Sequence, residues 1–199
     1  MPLTISLADY GVGNLHSIRK ALELCGAKVL IVGDMKDLLE ASCIVFPGVG
    51  AFDKTMERLL PYRDDICKLL TGGLPSLGIC IGMQIMTECS DEGKERGLSF
   101  FPGRVVPMKA ACVPHIGWNE ISGDNRLLEG VENRYFYFAH SFHAELDREF
   151  VIGRTQYDIE FPSLLRKANT YGSQFHPEKS SRSGLTFLKN FVDFAVECQ

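Results

Sequence analysis

Pro75-Ser76-Leu77-Gly78-Ile79-Cys80-Ile81-Gly82-Met83-Gln84 reads as a short apolar strand that turns at a cysteine set between glycines and then enters a helix. This is the thiol counterpart of the Gly-x-Ser-x-Gly nucleophile elbow, a strand–turn–helix unit of parallel α/β sheets. The glycines leave room for a sharp turn and a strained backbone at Cys80. The turn lifts the sulfur off the sheet edge and puts it at a helix N-terminus, where N–H groups favour a thiolate. Taken alone, the segment also suits a buried cysteine in a glycine-rich turn.

Outward from the elbow, the first hundred residues alternate apolar runs with helical patterns. Strands are expected at Leu3 to Ala8, Lys28 to Val32, Cys43 to Phe46 and Ser76 to Ile79. Helical spacing joins Leu15, Ile18, Leu22 and Cys25, with Gly26 as its stop. Asp34 is placed to cap a short helix through Glu40, and helices are expected at Asp53 to Leu60 and Asp64 to Leu70. Alternation of this kind implies a parallel sheet covered on both faces. In the second half, Arg104 to Met108, Arg134 to Ala139, Phe150 to Thr155 and Leu164 to Ala168 read as strands with little helix between them. They suggest a mixed or antiparallel extension of the same sheet. Leu185, Leu188, Val192 and Ala195 line one face of a closing helix. No repeat or linker stands out, and 199 residues fit a single domain spanning 1–199.

The apolar fraction of 45% and charged fraction of 23% are those of an ordinary globular chain. A net charge of -4 and the lack of a Lys/Arg-rich run argue against nucleic-acid binding. No stretch approaches the ~20 apolar residues of a membrane helix, and the first residues lack a basic and apolar secretory pattern. The seven cysteines, Cys25, Cys43, Cys67, Cys80, Cys89, Cys112 and Cys198, form no Cys-x-x-Cys pair and no zinc spacing. A reduced, cytoplasmic chain with mostly buried thiols is expected. Only Cys80 has the setting of a nucleophile.

A cysteine nucleophile needs a base, and the base needs a group to hold its ring. Gly172-Ser173-Gln174-Phe175-His176-Pro177-Glu178-Lys179-Ser180 supplies both. In an extended segment His176 and Glu178 point the same way, with Pro177 stiffening the link. Alone this is also a plain His-Pro turn; with the elbow it completes a triad. The rival base, His140, has no carboxylate two residues away, so His140 and Ser141 are read as lining the site. His16 and His115 are assigned no catalytic part. For the oxyanion, Pro47-Gly48-Val49-Gly50-Ala51-Phe52 can aim backbone N–H groups of a glycine-rich turn, and the N–H of Ile81 is the second donor. Asp9 to Asn14 has a Gly-x-Gly but no further glycine of a dinucleotide loop, so nucleotide binding is rejected.

Gly78-Ile79-Cys80-Ile81-Gly82-Met83-Gln84 with His176-Pro177-Glu178 resembles the class I, triad-type glutamine amidotransferases. Asp9-Tyr10-Gly11-Val12-Gly13-Asn14-Leu15, Pro47-Gly48-Val49-Gly50-Ala51-Phe52 and His115-Ile116-Gly117-Trp118-Asn119 narrow the resemblance to the glutaminase subunits of imidazole glycerol phosphate synthases. The likeness covers essentially the whole chain. Ala8 stands where a larger apolar residue is common, and Phe142 where Tyr is often found. The resemblance implies a three-layer α/β/α fold, with a mostly parallel central sheet and an antiparallel extension. It implies Cys80, His176 and Glu178 as the catalytic triad. Gly48, Val49, Gly50, Ile81, Gln84, His140 and Ser141 become substrate and oxyanion residues. No metal or organic cofactor is implied. L-glutamine is the implied substrate, and a (β/α)8-barrel synthase in a heterodimer is the implied partner that receives ammonia. Trp118 then reads as an interface anchor rather than a core residue, with Tyr10, Asn14 and Lys179 as further interface candidates. A subunit of anthranilate synthase type, or an inactive scaffold that binds a synthase, are the competing readings.

Overall fold

The computed structural model describes residues 2–11, 15–48 and 50–199. Its first half is β1 (Thr4–Ala8), α1 (His16–Leu24), β2 (Lys28–Val32), β3 (Ile44–Phe46), α2 (Phe52–Leu59), α3 (Arg63–Thr71), β4 (Ser76–Ile79) and α4 (Ile81–Gln84). These follow the sequence expectations closely. Asp34 does cap a helix, its side chain accepting from the Lys36 N–H, but that helix, Met35–Glu40, is 3-10 rather than α. The helix after the elbow is a single turn, so its contribution at Cys80 is that of local N–H groups rather than of a long macrodipole.

The second half contains β5 (Cys89–Ser90), β6 (Gly103–Pro107), β7 (His115–Glu120), β8 (Tyr135–His140), β9 (Phe142–Leu146), β10 (Val151–Tyr157), β11 (Ile159–Lys167), β12 (Thr170–Ser173) and α5 (Ser181–Glu197). The main sheet has the order β10-β11-β12-β4-β3-β1-β2. The five strands from β12 to β2 run parallel, and β11 and β10 add on antiparallel. The expected extension of this sheet is therefore only partly right. β5, β6 and β9 form a separate three-stranded sheet, and β7 and β8 a two-stranded ribbon. Periodicity shows a strand's faces but not its partner, which is why Arg104 to Met108 and Arg134 to Ala139 were placed in the wrong sheet.

Two apolar clusters cover the two faces of the main sheet. Ile5, Leu7, Val45, Leu77 and Ile79 meet Ile18 and Leu22 of α1 and Phe187, Leu188 and Phe191 of α5. Ile44 and Phe46 meet Met56 and Leu59 of α2 and Ile66 and Leu70 of α3. Alternate strand residues serve opposite faces, as the strand period of two requires. The result is a three-layer α/β/α arrangement. On α5, Leu188, Val192 and Ala195 are buried as expected, but Leu185 is exposed and Phe187, Phe191 and Phe194 carry much of the contact.

The sheet presses α4 against β3. A Cβ built on Gly82 would lie 2.0 Å from the Phe46 carbonyl oxygen, and that backbone cannot move without breaking the sheet. Gly82→Ala is expected to lower the unfolding free energy by about 1–3 kcal/mol or more through overpacking. Gly33→Ala, with nothing within 4 Å of the new methyl, should stay within about 0.5 kcal/mol of the unaltered chain. Urea denaturation of the two variants checks both.

Candidate active site

Cys80 is the residue between β4 and α4, and its backbone is strained, with φ 49° and ψ -109°. A non-glycine residue held there costs about 1–3 kcal/mol, which the surrounding packing must over-determine. The Cys80 N–H donates to the Ser173 carbonyl at 2.6 Å, pinning the elbow to the end of β12. Because β12 runs parallel to β4, with Ser173 opposite Ile79, the chain leaving β12 emerges at the same C-terminal end of the sheet. His176 sits there, 3% exposed. Its N–H donates to the Tyr137 carbonyl at 2.8 Å. Ser180 Oγ donates to the His176 carbonyl at 2.6 Å and accepts from the Tyr137 N–H at 2.9 Å.

His176 Nδ1 lies 2.8 Å from Glu178 Oε1, which leaves Nε2 for the Cys80 sulfur. The contact with Glu178 does not come from an extended strand. Pro177–Lys179 is a 3-10 turn that starts at the proline, and this turn folds Glu178 back beside the ring. Glu178 Oε2 is buried and has no partner among the described residues. Burial opposes charge on His176, but hydrogen bonds with Cys80 and Glu178 and their negative charge outweigh it and raise its pKa to about 9.

A pocket of about 260 Å³ opens over the sulfur, lined in part by Gly50, Cys80, Ile81, Gln84, His140 and Ser141. Six of the expected site residues thus share one wall. Gly48 lies just behind: a Cβ on it would stand 2.8 Å from His176 Cε1 and 3.1 Å from Cys80 Cβ. Val49 and Asn14 lie outside the described residues. The sequence reading missed Glu92, whose carboxylate also lines the pocket and accepts from the Phe52 N–H at 3.2 Å. It also missed Gln174, whose Nε2 is 3.6 Å from Cys80 Sγ. Gln174 stands two residues before His176 in a segment already singled out, so its place in the chain was the available signal.

His140 is no base. Burial pushes its pKa down to about 3, and the charges of His115, His143 and His176 act the same way. Its Nδ1 lies 2.8 Å from the Phe142 carbonyl and its Nε2 3.1 Å from His115 Nδ1. His115 is buried and stacked between Tyr157 and Phe138, which accords with a structural part.

Trp118 is 51% exposed, so the core reading fails. Its ring meets Tyr137 edge-on, and exposed Lys179 places Nζ 5.9 Å from the Tyr137 centroid. Ile116, 62% exposed, stands two residues before Trp118 on β7, and the two form an apolar patch on the β7–β8 ribbon with Lys179 of the Pro177–Lys179 turn beside it. Tyr10 is a correction: it is 4% exposed and packs in the core, where burial raises its pKa well above the ordinary value. A larger groove of about 630 Å³ beside Trp118 is bounded by Asn133, Ser180 and Arg182 and contains none of Cys80, His176 or Glu178.

The unfolded imidazole titrates near 6.5, whereas His176 in the fold holds its proton to about 9. Stability from this site is therefore complete below about pH 6.5 and is lost as pH rises through about 9. An NMR titration of the His176 ring proton is expected to show a midpoint well above 6.5. Cys80→Ala should lower that midpoint, and a midpoint at or below 6.5 in the unaltered chain would contradict the charge pair.

The model of the glutamine amidotransferase class-I family matches residues 6–194. The chain is 49% identical over 195 residues to imidazole glycerol phosphate synthase subunit HisH of Archaeoglobus fulgidus, covering 95% of this chain and 98% of that one. It is 44% identical over 194 residues to the subunit of the same name from Methanocaldococcus jannaschii, with the same coverage of 95% and 98%. A solved glutamine amidotransferase structure matches with a TM-score of 0.76 at 18% identity, over 96% of this chain and 98% of that one. That last likeness speaks for the fold alone. The family model and the named relatives together decide where the chain stands: it belongs to the class-I glutamine amidotransferases and, within them, to the HisH subunits of imidazole glycerol phosphate synthase.

Proposed function

We propose that this chain hydrolyses glutamine to glutamate and ammonia for histidine biosynthesis, with Cys80, His176 and Glu178 as its triad. The observation that carries the reading is the Cys80 thiol at a strained elbow, facing a buried imidazole whose other nitrogen lies 2.8 Å from Glu178. His176 takes the thiol proton and Glu178 orients the imidazolium. The sulfur attacks the amide carbon, and the tetrahedral oxyanion meets the N–H of Ile81 and those of Gly48 and Gly50. His176 then gives its proton to the departing nitrogen, so ammonia leaves and a glutamyl thioester remains. Water, deprotonated by His176, attacks the thioester; glutamate departs and the thiol is restored.

Gln84, His140 and Ser141 shape the substrate pocket. Glu92 is the carboxylate in that wall and suits the α-ammonium of the substrate. The chain acts as one domain in the cytoplasm. Among the described residues no helix is long and apolar enough to cross a membrane.

Ammonia protonated by water is no nucleophile, which favours delivery inside a complex. The partner is a (β/α)8-barrel synthase in a heterodimer, docked on Trp118 and Lys179. Support comes from Ile116, which belongs both to the pocket wall and to the exposed patch, so a partner seated there would lie beside the site of ammonia release.

Cys80→Ala should abolish glutamine-dependent synthesis by the assembled pair and leave ammonia-dependent synthesis intact; loss of both would refute this division of labour. Glutamate release by the free chain should be well below that of the complex, because one oxyanion donor alone is worth ~3 kcal/mol. Equal turnover, free and assembled, would remove the case for partner control.

A further inference from the structure

Gln174 is fully buried between the end of β12 and the elbow, and its N–H donates to the Ser163 carbonyl at 3.0 Å. Its side chain is one link in a row of buried amides. Gln84 Nε2 lies 3.0 Å from the Phe142 carbonyl oxygen and 3.1 Å from Gln174 Oε1. Gln174 Nε2 in turn lies 3.6 Å from Cys80 Sγ, within reach of the large sulfur atom.

The direction of this row is forced by chemistry. A backbone carbonyl only accepts, so Gln84 must turn its NH2 group toward Phe142. Both protons of that NH2 are then in use, one on Phe142 and one on Gln174 Oε1. Gln174 has its oxygen occupied and must present its NH2 to the sulfur. The same carbonyl fixes His140: Nδ1 carries the proton that meets Phe142, and Nε2 accepts from His115 Nδ1. Reversing the Gln84 amide would set acceptor against acceptor, and reversing the Gln174 amide would set donor against donor, in a buried place.

We infer that Gln174 holds Cys80 as its thiolate by donating an amide N–H to Sγ, in a polarity imposed through Gln84 by the Phe142 carbonyl. Gln174 moves no proton. The thiol proton goes to His176, and the amide, which is no base in this range, supplies only a fixed donor. When sulfur bonds to carbon its negative charge leaves, and the donated hydrogen bond weakens. The inference rests on reading Cys80 as the nucleophile, but it concerns the sulfur before any substrate arrives.

The test is alkylation of the full chain by iodoacetamide across a pH series, with the Cys80 adduct quantified by peptide mass among the seven cysteines. Gln174→Met keeps the bulk and removes the donor. A hydrogen bond to a charged group is worth enough that the rate at pH 7 should fall by up to about tenfold. The pH of half-maximal rate should move up by about one unit. The plateau at high pH should be equal or higher, since a more basic thiolate is the better nucleophile. An unchanged profile, or a lower plateau with no movement of the midpoint, would overturn the inference. A second measurement needs no variant. In the unaltered chain, the Gln174 side-chain NH2 resonance should shift with pH at the alkylation midpoint and lose that response once Cys80 is blocked. A resonance indifferent to Cys80 would also overturn it. Neither measurement uses glutamine, so a chain that follows both predictions yet releases no glutamate would defeat the proposed function and leave this inference standing.

Discussion

The pairing of β4 with β12 is the constraint on which the site depends. It joins two segments nearly a hundred residues apart, and the short Cys80–Ser173 backbone hydrogen bond closes it at the C-terminal ends of the two strands. Without that parallel register the cysteine and the histidine would have no reason to meet. The pair also explains a local choice of residue. Gly78 and Gly172 are opposite one another in the register. A Cβ on Gly172 would meet Met83 Cγ at 2.5 Å, and one on Gly78 would meet the Gly82 carbonyl at 2.5 Å. The rung is bare because the single turn of α4 lies directly on it.

Two buried imidazoles near the pocket show how partners outweigh burial. His140 has a carbonyl and other histidines around it, and its pKa falls to about 3. His176 is as deeply placed, yet its pKa rises to about 9 because a sulfur and a carboxylate flank it. Burial opposes the charged form of both. The difference is made by Glu178, which the Pro177 turn brings to Nδ1, and by Cys80. The neutral ring of His140 serves geometry: its proton holds the Phe142 carbonyl, and that carbonyl holds the Gln84 amide. A proton carrier and a fixed donor thus stand near one thiol for different physical reasons.

The legible part of the fold was its parallel half. β2 and β4 match their expected bounds, and Asp34 caps where expected. Each such element is set by its own residues. The strands β7, β9 and β12 were not foreseen. His115–Glu120 alternates buried and exposed positions, but its inner residues are a histidine, a glycine and an asparagine, which carry no apolar period. β12, Thr170–Ser173, is buried throughout and holds one large apolar side chain, Tyr171. Its place at the centre of the sheet comes from its neighbours rather than from its composition.

In the site, residue type and spacing determined the candidates: a thiol in Gly-x-Cys-x-Gly, and a histidine two residues from a carboxylate. These are local facts, because strain at an elbow and a proline-led turn depend on adjacent residues. Tertiary structure alone decided what surrounds them. It brought Gln174 to the Cys80 sulfur and Glu92 to the pocket, buried Tyr10 and left Trp118 at the surface. Each of those outcomes is a distance between segments far apart in the chain, and such a distance is set by how the layers pack.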